Sequence, residues 1–106
     1  MKNIKINLKI INADMPYEYN GDAKKDKNIV SFEDNNDSYV YDKDNKVLSK
    51  SNKNNKIIID FKNSIITIDD YSFDIDVLEE LLLDNEIFYR YKLEDNVIKL
   101  VIREVE

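Results

Sequence analysis

The sequence predicts an α+β fold, mainly antiparallel β: six to eight strands, open or partly closed into a barrel, with one short helix over residues 77–84. Three observations lead there. Apolar and polar residues alternate at both ends of the chain, the period-two mark of half-buried strands. The apolar supply favours strands, with fifteen Ile against two Ala, at positions 13 and 23. A single segment combines an N-cap, a capping box and leucines at helical spacing. The 106 residues make one small acidic domain, 1–106, without internal repeat or boundary. Each fully buried Ile or Leu is worth roughly 1.5–3 kcal/mol, so the Ile supply can offset the ordering entropy of a domain this size.

Residues 3–11 form the first expected strand, with Ile4, Ile6, Leu8 and Ile10 on one face and Lys5, Asn7 and Lys9 on the other. Ala13 to Lys27 is polar and holds Pro16 and Gly21. Asn20-Gly21 is a turn signal, and Tyr17-Glu18-Tyr19 before it is strand-like. Ile29 to Glu33 is a short strand, and Asp34-Asn35-Asn36-Asp37 a turn, since Asn and Asp tolerate left-handed angles. Ser38 to Tyr41 and Lys46 to Ser49 are strands around a turn at Asp42 to Asn45. Lys50 to Lys56 is a basic, low-complexity loop. Ile57 to Phe61 and Ser64 to Asp69 make a hairpin turning at Lys62-Asn63, and Tyr71 to Ile75 is a further strand.

The helix follows. Asp76 is its N-cap and Glu79 completes the capping box. Leu78, Leu81 and Leu82 share a face, and Glu79 and Glu80 suit the macrodipole at its start. A long hairpin ends the chain: Glu86 to Leu93, a turn at Glu94-Asp95-Asn96, then Val97 to Val105. Ile98, Leu100 and Ile102 line one face of the last strand and Val97, Val101 and Val105 the other, so it is expected to be central and covered on both faces.

Composition excludes several functions. The chain has no Cys, no His, no Trp and one Gly. Disulfides, thiol nucleophiles, Cys-ligated zinc, Ser–His–Asp catalysis and Gly-rich phosphate loops are all ruled out. Carboxylates, Lys, Tyr and Arg remain for chemistry, and the expectation is a non-enzyme without cofactor or metal. Asp42-Lys43-Asp44-Asn45-Lys46 opens like a calcium loop, but Val47 stands where Gly is required and Lys53 where the bidentate Glu belongs. No run of about 18 apolar residues spans a membrane, and the alternating N-terminus lacks the apolar core of a signal peptide. The expected location is the cytoplasm, that of the host cell if the gene belongs to a phage. Abundant Ile, Lys and Asn, with their AT-rich codons, point to a low-GC bacterium or its phage.

Charge is unevenly placed. Residues 57–89 hold nine acids and one base, Lys62, for a net −8, whereas the whole chain is −6. Asp69, Asp70, Asp74, Asp76, Glu79, Glu80, Asp84 and Glu86 are the candidate partner-binding acids, carboxylates standing where nucleic-acid phosphates would. The plainer account is a solubilising face. Tyr-x-Tyr pairs occur at Tyr17/Tyr19, Tyr39/Tyr41 and Tyr89/Tyr91. Tyr89 and Tyr91 have a structural role, while Tyr17 and Tyr19, in polar surroundings, are the interface candidates. Lys46, Lys50, Lys53 and Lys56 read as a solvated loop.

Gly21 to Asp34 followed by a hairpin resembles the small calycin-like barrels of low-GC Gram-positive bacteria, although the chain is short for that barrel and no function is carried across. The functional expectation is a small acidic protein-binding module: an inhibitor docking a negative face on a basic, nucleic-acid-handling protein such as a nuclease, of phage anti-defence or anti-CRISPR type. Direct binding of nucleic acid or membrane is not expected. The alternatives are a structural or subunit protein and a small-ligand barrel.

Overall fold

The structure, a computed structural model, describes residues 1–12 and 16–105. Ala13, Asp14 and Met15, at the start of the expected polar segment, lie outside the described residues. The fold is all-β. Eleven antiparallel strands and no helix are present among the described residues. They are β1 (Lys2–Ile11), β2 (Tyr17–Asp26), β3 (Ile29–Asp34), β4 (Asp37–Asp42), β5 (Val47–Ser51) and β6 (Lys56–Asp60). The chain continues with β7 (Ile65–Ile68), β8 (Tyr71–Asp74), β9 (Asp76–Leu82), β10 (Glu86–Leu93) and β11 (Asn96–Val105). The expected α+β class and the count of six to eight strands are thereby corrected. Among the described residues no helix is long and apolar enough to cross a membrane.

Contacts divide the chain into two compact units, Met1–Asn3 with Ala23–Asp74, and Ile4–Asp22 with Ile75–Glu106. The first is a meander in which β3 to β8 each pair with the next strand, after the last part of β2. Its register carries one apolar row across six strands: Val30, Tyr41, Leu48, Ile59, Ile66 and Phe73. All but the last are buried, since β8 is the rim strand and Phe73 is 44% exposed. Beside this row Phe32 stacks on Tyr39, ring centroids 4.7 Å apart.

The turns of this unit use no glycine. Asn35 and Asn36 both take positive φ, 51° and 74°, making the expected two-residue hairpin turn. Asp42 and Asp60 build identical turns. The Asp42 carboxylate accepts the N–H groups of Asp44 (3.0 Å) and Asn45 (3.2 Å) and the Asn45 side-chain amide (2.7 Å). Asp60 does the same with Lys62 (3.1 Å), Asn63 (3.0 Å) and the Asn63 amide (2.8 Å). The left-handed residues Lys46 and Ser64 close the two turns. The segment that opened like a calcium loop therefore spends its first carboxylate on its own backbone. The expected loop Lys50 to Lys56 is shorter than predicted, because β5 runs to Ser51 and β6 starts at Lys56.

In the second unit β11 lies between β1 and β10, and β9 pairs with β10. Ile6, Leu8, Ile87, Tyr89, Tyr91, Ile98, Leu100 and Ile102 form its core, each at most 7% exposed. The last strand is central, as expected, but not covered on both faces: Val97 and Val105 are 44% and 41% exposed.

Two segments depart from expectation. Residues 77–84 are not a helix. Asp76–Leu82 is β9, with Leu82 opposite Ile87, Leu81 opposite Phe88, Glu80 opposite Tyr89 and Glu79 opposite Arg90. A β-bulge at Leu78 shifts the register before Val77 meets Tyr91. An isolated helix of eight residues is marginal in water, whereas β10 supplies a ready edge and Arg90 a partner for Glu79. Asp76 is thus a strand residue, not an N-cap. The second departure is Asn20-Gly21, which lies inside β2 and is not a turn. Its glycine leaves room for the Tyr19 ring: a Cβ on Gly21 would stand 2.7 Å from the Tyr19 hydroxyl, which would have to move.

Candidate functional site

The expected partner-binding acids divide between the two units. In the first, Asp69 and Asp70 form the β7–β8 turn and Asp74 ends β8. All three are exposed. Asp69 is also structural, since its carboxylate accepts the Lys56 N–H at 2.9 Å and its own N–H donates to the Lys56 carbonyl at 2.8 Å. In the second unit, Asp76, Glu79 and Glu80 lie on β9 and Asp84 in the β9–β10 turn, all exposed. Glu79 accepts from Arg90 Nε at 2.7 Å, and half-buried Glu86 accepts from an Arg103 terminal nitrogen at 2.8 Å. These pairs neutralise two of the eight acids. The others stay at the surface, where ion pairing contributes little to stability.

The tyrosines sort by burial. Tyr39, Tyr41, Tyr89 and Tyr91 are core residues, at most 4% exposed. Burial pushes the Tyr91 phenol up to about 12. The interface candidates Tyr17 and Tyr19 are half-buried in β2. The Tyr19 hydroxyl donates to the Asp22 carbonyl at 2.7 Å, which folds the ring over Gly21. That geometry gives Tyr19 a local structural role.

Of the basic loop residues, Lys50 lies 3.8 Å from Asp37 and 5.8 Å from the centre of the Tyr39 ring. A polar cleft of about 550 Å³ lies in the first unit, lined by Glu33, Asp37, Lys53 and the amides of Asn35, Asn36, Asn52 and Asn54. No aromatic or aliphatic side chain lines it. Among the described residues no group of three or more carboxylates is placed to hold a metal ion.

One surface was not anticipated from the sequence. The second unit carries six basic and twelve acidic side chains, and hence the whole net charge of the protein. All six bases, Lys5, Lys9, Arg90, Lys92, Lys99 and Arg103, occupy the outward positions of β1, β10 and β11, opposite in parity to the buried core residues. Between them runs an apolar row formed by Leu81, Phe88 and Val101 in register. The signal was present in the alternation Glu86-Phe88-Arg90-Lys92 and Val97-Lys99-Val101-Arg103-Val105. Alternating valines opposite Ile98, Leu100 and Ile102 read equally as a second covered face, which hides it.

The chain matches no protein-family model, no curated protein and no solved structure.

Proposed function

We propose that the chain is a protein-binding module and not an enzyme, docking exposed carboxylates on a basic partner. The supporting observation is the placement of Asp69, Asp70, Asp74, Asp76, Glu79, Glu80 and Asp84: all are exposed, on turns and rim strands. In its sharper form the partner is a nucleic-acid-handling protein such as a nuclease, and the chain is an inhibitor of anti-CRISPR or related anti-defence type acting in the cytoplasm. A field of surface carboxylates accelerates encounter with a cationic groove, over a range of about 8–10 Å near physiological salt.

The test starts from a partner retrieved from a low-GC host lysate at low and at raised salt. Binding rates are then measured at two salt concentrations. Reversal of Asp69, Asp70, Glu79 and Glu80 to Lys is expected to cut the on-rate by about tenfold or more, and raised salt to slow the parent similarly. Lys50→Glu with Lys53→Glu should change little. Unaltered binding by the acid reversal would remove this reading.

A further inference from the structure

We infer that the free edge of β8 takes an extended segment of the basic partner as an added strand, selected by the pattern basic–apolar–polar–apolar–basic. This rests on the acidic docking reading and gives the form of its contact. Among the described residues β8 pairs with β7 alone and ends the sheet. All of its residues are exposed. The parity of the hydrogen bonds fixes which backbone groups face out. The Asp69 N–H donates to the Lys56 carbonyl on β6. Ile65 and Thr67, of the same parity, therefore also bond to β6, and Ile66 and Ile68 turn their N–H and C=O groups to β8. Their partners there are Phe73 and Tyr71. Ser72 and Asp74 are left to aim their N–H and C=O groups away from the sheet. The Thr67 and Ser72 hydroxyls, 3.0 Å apart, fit the close approach of a non-hydrogen-bonded pair. An unpaired row of this kind is a template for another strand, and strand addition is a recurring mode of peptide recognition.

Side chains along the edge specify the strand. Two cross-strand rows of this unit run out at β8. The row through Ile59 and Ile66 ends on Phe73, and the row through Ile57 and Ile68 ends on Tyr71, which is 71% exposed. Apolar residues two apart on an added strand would extend both rows and cover both rings. The residue between them faces Ser72, where Thr or Ser continues the hydroxyl pair. Acids flank the edge at both ends: Asp69 and Asp70 before Tyr71, and Asp74 after Phe73. β7, β8 and the turn between them hold no base. Lys56 and Lys62 lie on β6 and in the turn after it, and Asp76 on β9 already faces Lys92. Residues opposite Asp70 and Asp74 are accordingly basic.

The same acids reject other occupants. Antiparallel pairing of β8 with a second copy, centred on Ser72, sets Asp70 against Asp74 twice. Centred on Phe73, it sets Asp70 against Asp76 twice. Like charges directly opposite are destabilising. Nucleic acid, with its phosphates, is repelled as well. Outward groups on Ser72 and Asp74 make a short ladder, so an isolated peptide should bind weakly, with Kd on the order of hundreds of micromolar.

Amide NMR of the full chain, titrated with the capped peptide Thr-Lys-Val-Thr-Val-Lys-Thr to about 2 mM, tests this. The Ser72 and Asp74 amides should shift most, and their hydrogen exchange should slow by about fivefold or more. Methylating the N–H of the central Thr, which bonds Ser72, should weaken binding by about tenfold, as should replacing both Lys of the peptide by Glu. Ser72→Pro removes an outward N–H and leaves the bonds to β7 intact, and should weaken binding similarly. The methylated peptide carries that comparison on the unaltered protein if the variant folds poorly. Asp70→Lys with Asp74→Lys should prefer the Glu peptide. No shift at β8 over this range overturns the proposal. So do shifts centred on Glu79 and Glu80, or equal binding of the methylated or the Glu peptide. Ser72→Pro alters no charge. A retrieved partner that binds it like the parent, yet loses the acid reversal, overturns strand addition alone. A partner indifferent to the acid reversal overturns the docking reading and this proposal with it.

Discussion

Replacing Leu100 by Ala removes three carbons from a site 1% exposed at the centre of β11. Register sets Tyr89 beside it on β10 and Ile10 beside it on β1. At about 0.8 kcal/mol per methylene, the lost transfer energy is about 2.4 kcal/mol. Strands on both sides and the fully buried ring of Tyr89 resist collapse into the gap. A residual void of about 50 Å³ at about 24 cal/mol per Å³ adds about 1.2 kcal/mol. The expected loss is therefore about 3–4 kcal/mol, a large part of the roughly 5–15 kcal/mol that holds a small domain folded. Urea unfolding followed by circular dichroism measures it, provided the slope with denaturant is unchanged. Val101→Ala is the internal control: adjacent in sequence, but half-buried on the outward face, it should cost less than about 1 kcal/mol. Similar losses for the two variants, or a loss below about 1 kcal/mol at Leu100, would refute the assignment of inward and outward faces.

Three further outcomes follow from local geometry. The Asn45 amide and backbone N–H groups hold the Asp42 carboxyl below its ordinary value of 3.8. At Asp60, burial pushes up but is outweighed by the amide and N–H of Asn63 and the N–H of Lys62, so the net shift is again downward. Depressed folded values mean that the unfolded chain takes up protons first. This stability is fully present above about pH 5 and is lost as pH falls through the folded values, so the urea midpoint should drop below about pH 4, less steeply in Asp60→Ala. Tyr91 runs the other way: its value, raised from 10.0 to about 12, keeps its contribution whole below pH 10 and removes about 2 kcal/mol as pH rises to 12. Tyr91→Phe should flatten that alkaline loss. Finally, Gly21→Ala should cost about 1 kcal/mol by displacing the Tyr19 hydroxyl from the Asp22 carbonyl. In a Tyr19→Ala background the same change should be neutral or stabilising, and an unchanged cost in that background would count against the Tyr19 contact as its cause.

The sequence by itself determined the local chemistry. Period-two alternation placed Ile6 and Leu8 inward on β1, and Leu100 and Ile102 inward on β11, because a pleated strand shows alternate residues to opposite faces. Asp34 to Asp37 and Asp42 to Asn45 announced their turns, because Asn and Asp satisfy their own backbone and accept left-handed angles. The tertiary structure decided what depended on neighbours. Residues 76–82 carry good helix caps and leucines at helical spacing, but propensity is a weak prior and the edge of β10 offered pairing that an isolated turn of helix lacks. β2 carries only a weak apolar pattern, Tyr17, Tyr19 and Ala23 at period two, with Ala23 its one buried side chain, so little beyond Tyr17-Glu18-Tyr19 marks it as a strand and pairing with its neighbours completes it. The outward face of the second unit shows along the chain only as separate alternations on single strands. Lys9, Val101, Phe88 and Leu81 become one row through strand register alone, and register is fixed by long-range pairing that no single segment encodes.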